Sequence, residues 1–246
     1  MWQWFHKLGS PKWFYGIANR LMPWLLAGGL IVLLAGLVWG LAFAPKDYLQ
    51  GNSYRIIFIH VPAAFLAQSI YIMMAVAAVV TLVWRMKLAD VFVKAIAPVG
   101  LVLTFLSLFT GAVWGKPTWG TWWVWDARLT STLILWIIYV AYLMLRTQSD
   151  AGSMRARYAA VLGIVGFLNI PFIHFSVLWW RTFHPQPKVI TNEGIGKGMD
   201  PTMLATLGIS LCAFTLLYFL LMGVRVRQEK LKDEIDRLKR EKLYSA

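Results

Sequence analysis

Cysteine is nearly absent. The one thiol, Cys212, lies inside an apolar run, which excludes a disulfide framework, a C-x-x-C redox pair and a C-x-x-C-H attachment motif. Charge is scarce too, at 14% of residues, and acid is scarcer than base, with 11 Asp and Glu against 24 Lys and Arg. No phosphate-cradling glycine loop occurs, so nothing in the chain suggests an ATPase or another enzyme, and any ATP hydrolysis would fall to a partner. No internal repeat of fixed period and no low-complexity linker is visible.

What is plentiful is apolar. Hydrophobic residues make up 59% of the chain and the mean hydropathy is +0.61, which reads as an integral membrane protein rather than a soluble domain. The net charge of +13 could suggest nucleic acid, but the basic residues are scattered between apolar runs rather than gathered in one patch. Membrane topology accounts for them better.

Six runs reach the roughly 20 residues that a helix needs to cross a bilayer: 22 to 43, 56 to 84, 91 to 113, 129 to 146, 157 to 180 and 202 to 224. They are continuous rather than alternating, so the expected fold is an all-α bundle of six transmembrane helices and not a barrel. Ala42-Phe43-Ala44 resembles a signal-peptide cleavage site, but the run is too long and Pro45 follows, so a retained helix is expected. With both termini on one side, seventeen basic residues fall on that side and seven on the other, which makes the termini cytoplasmic. Three loops then face outward: 44 to 55, 114 to 128 and 181 to 201. Residues 1 to 225 read as one membrane domain, and 226 to 246 as a charged cytoplasmic helix, either a solvated helix laced with ion pairs or a short partner-binding one.

Of four histidines, His6 has no second ligand near it and reads as an ordinary interfacial residue. His60 and His184 both map to the outward side, where two imidazoles can converge on one metal. His174 would lie about 15 Å deeper than His184 if the fifth helix is continuous, either a buried functional residue or a packing one. A bare zinc site would want more ligands than the outward loops offer, whereas a metal already held in a macrocycle needs one or two axial ligands, and that describes haem. The stretch WGKPTWGTWWVWDARLT supplies Trp114, Trp119, Trp122, Trp123 and Trp125, followed by Asp126. Gly115, Pro117 and Gly120 make a regular helix unexpected there. Single tryptophans such as Trp24, Trp39 and Trp84 fit an interfacial belt, but this contiguous set offers flat area for a porphyrin. Asp126 is placed either to cap the fourth helix or to contact a ligand. Arg55, Lys116, Arg128 and Arg181 are outward cations available to propionates.

WGTWWVWDARLTS, with GNSYRIIFIHVPAA before it and NIPFIHFSVLWWRTFHPQ after it, resembles the tryptophan-rich WWD signature of haem-handling membrane proteins, in the form of the cytochrome c maturation protein C family. The resemblance runs along nearly the whole chain and fades in KVITNEGIGKGMD and the charged tail. It implies a haem-binding subunit of an ABC-type complex in the bacterial inner membrane. Haem b would be presented on the periplasmic side and delivered to the haem chaperone CcmE, with CcmA, CcmB and CcmD as partner subunits. It also implies His60 and His184 as axial ligands and the WWD loop, with Trp114 at its start, as the platform for haem and chaperone. Arg55, Arg128 and Arg181 are the first cations to test as propionate partners. Two other functions fit the residues: a transporter passing haem through its own helices, along Pro62, Pro98, Pro171 and His174, or a scaffold subunit.

Overall fold

A computed structural model describes residues 11–147, 152–180, 182–184, 189–191, 194–195 and 198–244. His6 and Arg181 lie outside the described residues, as does half of the segment 185–200 that follows His184. Six helical stretches are long and apolar enough to cross a membrane: Asn19–Phe43, Asn52–Trp84, Lys87–Trp119, Ala127–Thr147, Ala156–Trp179 and Pro201–Lys239. The chain is a multi-pass helical membrane protein.

Helix α1, Pro11–Val38, ends in one π-helical turn at Trp39–Phe43. A 3-10 turn at Asn52–Ile56 leads into α2, Ile57–Trp84. The chain reverses at Arg85, whose φ of 52° makes it the one non-glycine in the left-handed region among the described residues. Then come α3, Lys87–Trp119, and α4, Ala127–Thr147. The fifth span is α5, Gly152–Gly166, with α6, Asn169–Trp179, and the last helix is α7, Pro201–Tyr244. Two-residue strands, Ile190–Thr191 and Gly194–Ile195, pair antiparallel between α6 and α7.

Helices α2 and α3 form the central pair; α4 lies against α3 and α6, α5 against α2 and α4, and α7 against α1, α2 and α3. Helix α1 is peripheral and packs almost wholly on α7. Buried tyrosines set the spacing at the centre. Tyr71 and Tyr139 meet edge to face with centroids 5.2 Å apart, and the Tyr139 hydroxyl donates to the Ala67 carbonyl at 2.9 Å. Room for the two rings comes from Gly100 and Gly166, where a Cβ would overlap Tyr139 and Tyr71 respectively. At the opposite end of the bundle from the histidines, Arg146 of α4 grips both oxygens of Asp90 on α3, at 2.8 and 2.9 Å. That bidentate pair, the strong form of ion pair, ties the two helices at that end.

Two expectations are corrected. The third span does not end at 113: α3 runs through Gly115 and Pro117 to Trp119. Pro117 removes one backbone donor, but it sits in the final turns, and the Thr118 hydroxyl donates to the Trp114 carbonyl at 2.8 Å. Gly120, with φ of 79°, closes the helix in the left-handed conformation and donates its N–H to the Lys116 carbonyl at 3.1 Å. The fifth span is broken rather than continuous. Pro171 has no N–H for the Phe167 carbonyl, which takes the Ile170 N–H instead at 3.0 Å, and the chain kinks between α5 and α6. Asn169 spans the break with a 2.8 Å bond to the Ser131 carbonyl on α4. Helix α7 runs on without a break from the last span into the charged segment, supported there by ion pairs from Glu229 to Arg225 and Lys232 and from Arg237 to Glu234 and Glu241.

Gly100→Ala sets two opposing effects against each other. Helix propensity favours alanine by up to about 1 kcal/mol, whereas overpacking a filled core costs about 1–3 kcal/mol. Because the new methyl would lie within the Tyr139 ring, a net loss of thermal stability in detergent is expected. Gly28→Ala, with nothing near its Cβ, should show no loss.

Candidate functional site

The ends of α2, α3, α4 and α6 meet where the sequence places its outward histidines. His60, one turn into α2, is 9% exposed, and its Nδ1 lies 3.0 Å from the Thr110 hydroxyl of α3. It fits because residue 111 is glycine: a Cβ there would come 3.1 Å from His60 Cε1, tighter than packed atoms normally sit. One turn further along α3, the Trp114 indole meets the His60 ring edge to face at 5.7 Å.

Trp114 is itself anchored. Its Nε1 donates to Gln50 Oε1 at 2.7 Å, and its ring packs edge-on to Tyr54 at 5.8 Å. Gln50 is presented by a turn that Asp47 organises, with Oδ1 accepting from the N–H groups of Leu49 and Gln50 at 2.9 and 2.8 Å. Arg55 holds the same loop. Its Nη1 donates to the Leu41 carbonyl at 3.0 Å and its Nη2 to the Ala44 carbonyl at 2.5 Å. The guanidinium is therefore committed to the end of the first span.

His184 follows α6, in a turn where its N–H donates to the Thr182 hydroxyl oxygen at 3.2 Å. Its ring stands 6.4 Å from that of His60, centroid to centroid, with the planes inclined by 33°. Trp119 flanks it at 6.4 Å and also touches Phe183 at 6.1 Å. Arg128, in the first turn of α4, donates to His184 Nδ1 at 3.2 Å, to the Ile173 carbonyl at 3.2 Å and to the His174 carbonyl at 3.3 Å. One guanidinium thus reaches both His174 and His184, so the expected 15 Å separation in depth does not hold. The physical reason is that α6 ends at Trp179 and the chain then leaves the helical axis. The His174 ring is exposed, away from His60, rather than buried.

The loop between α3 and α4 is only Gly120 to Asp126. Trp122 and Trp125 are exposed, at 56% and 76%. Trp123 is half-buried, edge to face with Trp125 at 5.4 Å. Asp126 caps α4: Oδ1 accepts the Leu129 N–H at 2.8 Å, three residues on, as an N-cap carboxylate does. Its Oδ2 and the Trp123 Nε1 are buried with no partner, one acceptor and one donor left on the same short loop. So the structure gathers His60, His184, Trp114, Trp119 and Arg128, and sets Trp122, Trp123 and Trp125 outside them. Arg55 supports from behind. The sequence reasoning passed over Thr110, Gln50 and Thr182. A signal for Thr110 exists, since Thr104, Ser107 and Thr110 recur every three residues in an apolar run, and all three are buried.

The donor set suits a metal held mainly by something else. Among the described residues no three His, Cys, Asp or Glu side chains cluster. An imidazole nitrogen binds a metal at about 2 Å and the ring centroid lies about 1 Å behind it, so two rings sharing one metal stand about 6 Å apart. The observed 6.4 Å matches that spacing.

Fold and site together define a class: a six-span helical membrane protein with an imidazole pair, flanked by indoles, at one end of the bundle. The family model for Heme exporter protein C matches residues 4–241. Proteins called Heme exporter protein C resemble the chain over most of their length. That of Escherichia coli K12 is 46% identical, covering 92% of this chain and 91% of the relative. That of Haemophilus influenzae is 45% identical, covering 96% of each. That of Bradyrhizobium diazoefficiens is 46% identical, covering 93% of this chain and 86% of the relative. The chain belongs to the Heme exporter protein C family.

Substitution at Asp126 separates its cap from its charge. Asp126→Ala should cost about 1 kcal/mol of stability, the usual value of a lost N-cap, whereas Asp126→Asn, which caps equally well, should cost little. Thermal unfolding of the purified protein measures both; equal losses would mean that the charge, not the cap, matters to the fold.

Proposed function

We propose that the chain is the haem-holding membrane subunit of the cytochrome c maturation complex, presenting haem b at the outer face of the bacterial inner membrane for delivery to the chaperone CcmE. The observation that carries this reading is the His60–His184 pair, spaced at 6.4 Å and flanked by Trp114 and Trp119. The printed name of the relatives, Heme exporter protein C, supports haem as the cargo.

In this reading His60 and His184 would be the side chains that hold the haem iron. Trp114 and Trp119 give apolar aromatic surface beside the imidazoles, and the exposed Trp122 and Trp125 form the face that a chaperone meets. Arg128 is the cation best placed for a propionate, because it already stands at His184; Arg55 is engaged with carbonyls of the first span. The excess of basic residues on the side of the termini supports a topology with both termini in the cytoplasm and the site in the periplasm. CcmA would hydrolyse ATP, and CcmB and CcmD would complete the membrane assembly. The chain acts as a holder and positioner, without an acid or base catalyst of its own.

A path for haem through the middle of the bundle has less support. Tyr71, Tyr139, Ile70 and Met74 are fully buried there, and His174, the ionisable group such a path would use, lies on the exterior.

Purified protein tests the ligands directly. His60→Ala with His184→Ala should abolish the haem absorption band and leave little haem bound; an unchanged band and haem content would overturn the assignment. Replacing Trp122, Trp123 and Trp125 together should reduce co-purification with haem-loaded CcmE. Recovery at the wild-type level would remove the exposed indoles from chaperone contact.

A further inference from the structure

The two imidazoles differ in what each Nδ1 faces. At His60 it faces the Thr110 hydroxyl, 3.0 Å away. That hydroxyl has one proton, and Oγ1 lies 2.7 Å from the Leu106 carbonyl, which can only accept. With the proton directed to Leu106, Oγ1 turns lone pairs toward His60 and accepts from Nδ1–H. A neutral His60 then carries its lone pair on Nε2. At His184 the neighbour is the opposite kind. Arg128 has donors only, so the 3.2 Å contact of its Nη1 requires His184 Nδ1 to accept. A neutral His184 then carries its proton on Nε2.

We infer that the pair is set in opposite tautomers and plays unequal parts: Thr110 presets His60 to offer Nε2 to iron, and Arg128 keeps His184 from ligating until its guanidinium lets go. This rests on the haem-holding reading above. While Arg128 donates to Nδ1, neither nitrogen of His184 has a lone pair to give, because one is in that hydrogen bond and the other bears the proton. For His184 to ligate through Nε2, its ring proton passes to Nδ1 and the Arg128 hydrogen bond is lost. No electron moves and no covalent bond to carbon changes. Arg128 is held in place by the Ile173 and His174 carbonyls, so the latch does not depend on His184 alone. A carboxylate arriving at the site competes for the same guanidinium, and a propionate of the cargo would supply one. The cargo would thereby release its own second ligand. Thr110 and Arg128 are positioning residues here, since each acts through a histidine.

The tautomers are measurable with no haem present. In the full chain, purified haem-free in detergent and labelled with 15N-histidine, 15N NMR distinguishes protonated from unprotonated ring nitrogens, and His60→Gln and His184→Gln assign the signals. His60 should be protonated on Nδ1 and His184 on Nε2. Thr110→Val should shift His60 toward the Nε2–H form and weaken haem retention about ten- to hundred-fold, as loss of a ligand's outer partner does, whereas Thr110→Ser should preserve both. The inference is overturned if the wild-type rings share one tautomer, or if Thr110→Val leaves the His60 nitrogens unchanged. The haem-holding reading fails on a separate result, retention of haem without His60 and His184.

Discussion

The contact between His60 and one face of α3 is the constraint on which the histidine end of the bundle depends. Thr110, Gly111 and Trp114 occupy that face because positions three and four apart on a helix are neighbours. Each supplies something different: a hydroxyl for Nδ1, an empty space for Cε1 and a ring edge against the imidazole. An imidazole in an apolar setting needs a polar partner to avoid an unsatisfied group, and Thr110 supplies it from within the bundle. The arrangement requires α3 to stay helical well beyond residue 113. If the helix ended there, Trp114 would lose its register with Thr110 and Trp119 would have no fixed place beside His184.

Two arginines then fix the elements around this contact, and they do it in the same way. Arg55 donates to two carbonyls at the end of the first span, and Arg128 to two carbonyls of α6. Carbonyls near a helix end carry partial negative charge, and an ionised donor near the membrane interface gains from meeting them. The consequence of Arg55 passes through several steps: it holds the loop that Asp47 folds, the loop presents Gln50, and Gln50 fixes Trp114 beside His60. Gly40 allows the close approach at that corner, since a Cβ there would come 3.0 Å from the Phe58 ring.

Much of this was legible in the chain, and the unread part has identifiable causes. The six spans follow from length and hydropathy, which local context cannot overturn in a bilayer. The shared side of His60 and His184 follows from counting spans. The end of α3 did not, because Gly115 and Pro117 are read as breakers, while the Gly120 cap that ends the helix only after them acts through geometry. Pro171 was visible, but not that Asn169 would use the break to reach α4. His174 was placed too deep because a continuous helix was assumed. The commitment of Arg55 to carbonyls has no sequence signature, since an arginine that caps a neighbouring span looks like one that waits for an anion. Thr110 could have been found from the spacing of Thr104, Ser107 and Thr110, a polar row in an apolar helix that had no other reason to be polar.

The proposed function, holding a cargo in order to pass it on, sets affinity against release, and the placement of the two histidines bears on that conflict. His60 is on a central helix, packed on α3, so moving it would disturb the best-packed pair in the bundle. His184 is beyond the end of α6, held by a threonine turn and one guanidinium. Withdrawing a side chain from that position would break those polar contacts and the ring contact with Trp119, without displacing a spanning helix. A typical hydrogen bond contributes about 1 kcal/mol net, or about 1.5–3 when one partner is charged, so a change of this size moves an equilibrium by ten- to hundred-fold without unfolding anything. If the two histidines hold haem as proposed, their unequal anchoring is sufficient to let the site keep its cargo oriented through His60 while the bond through His184 is made or given up.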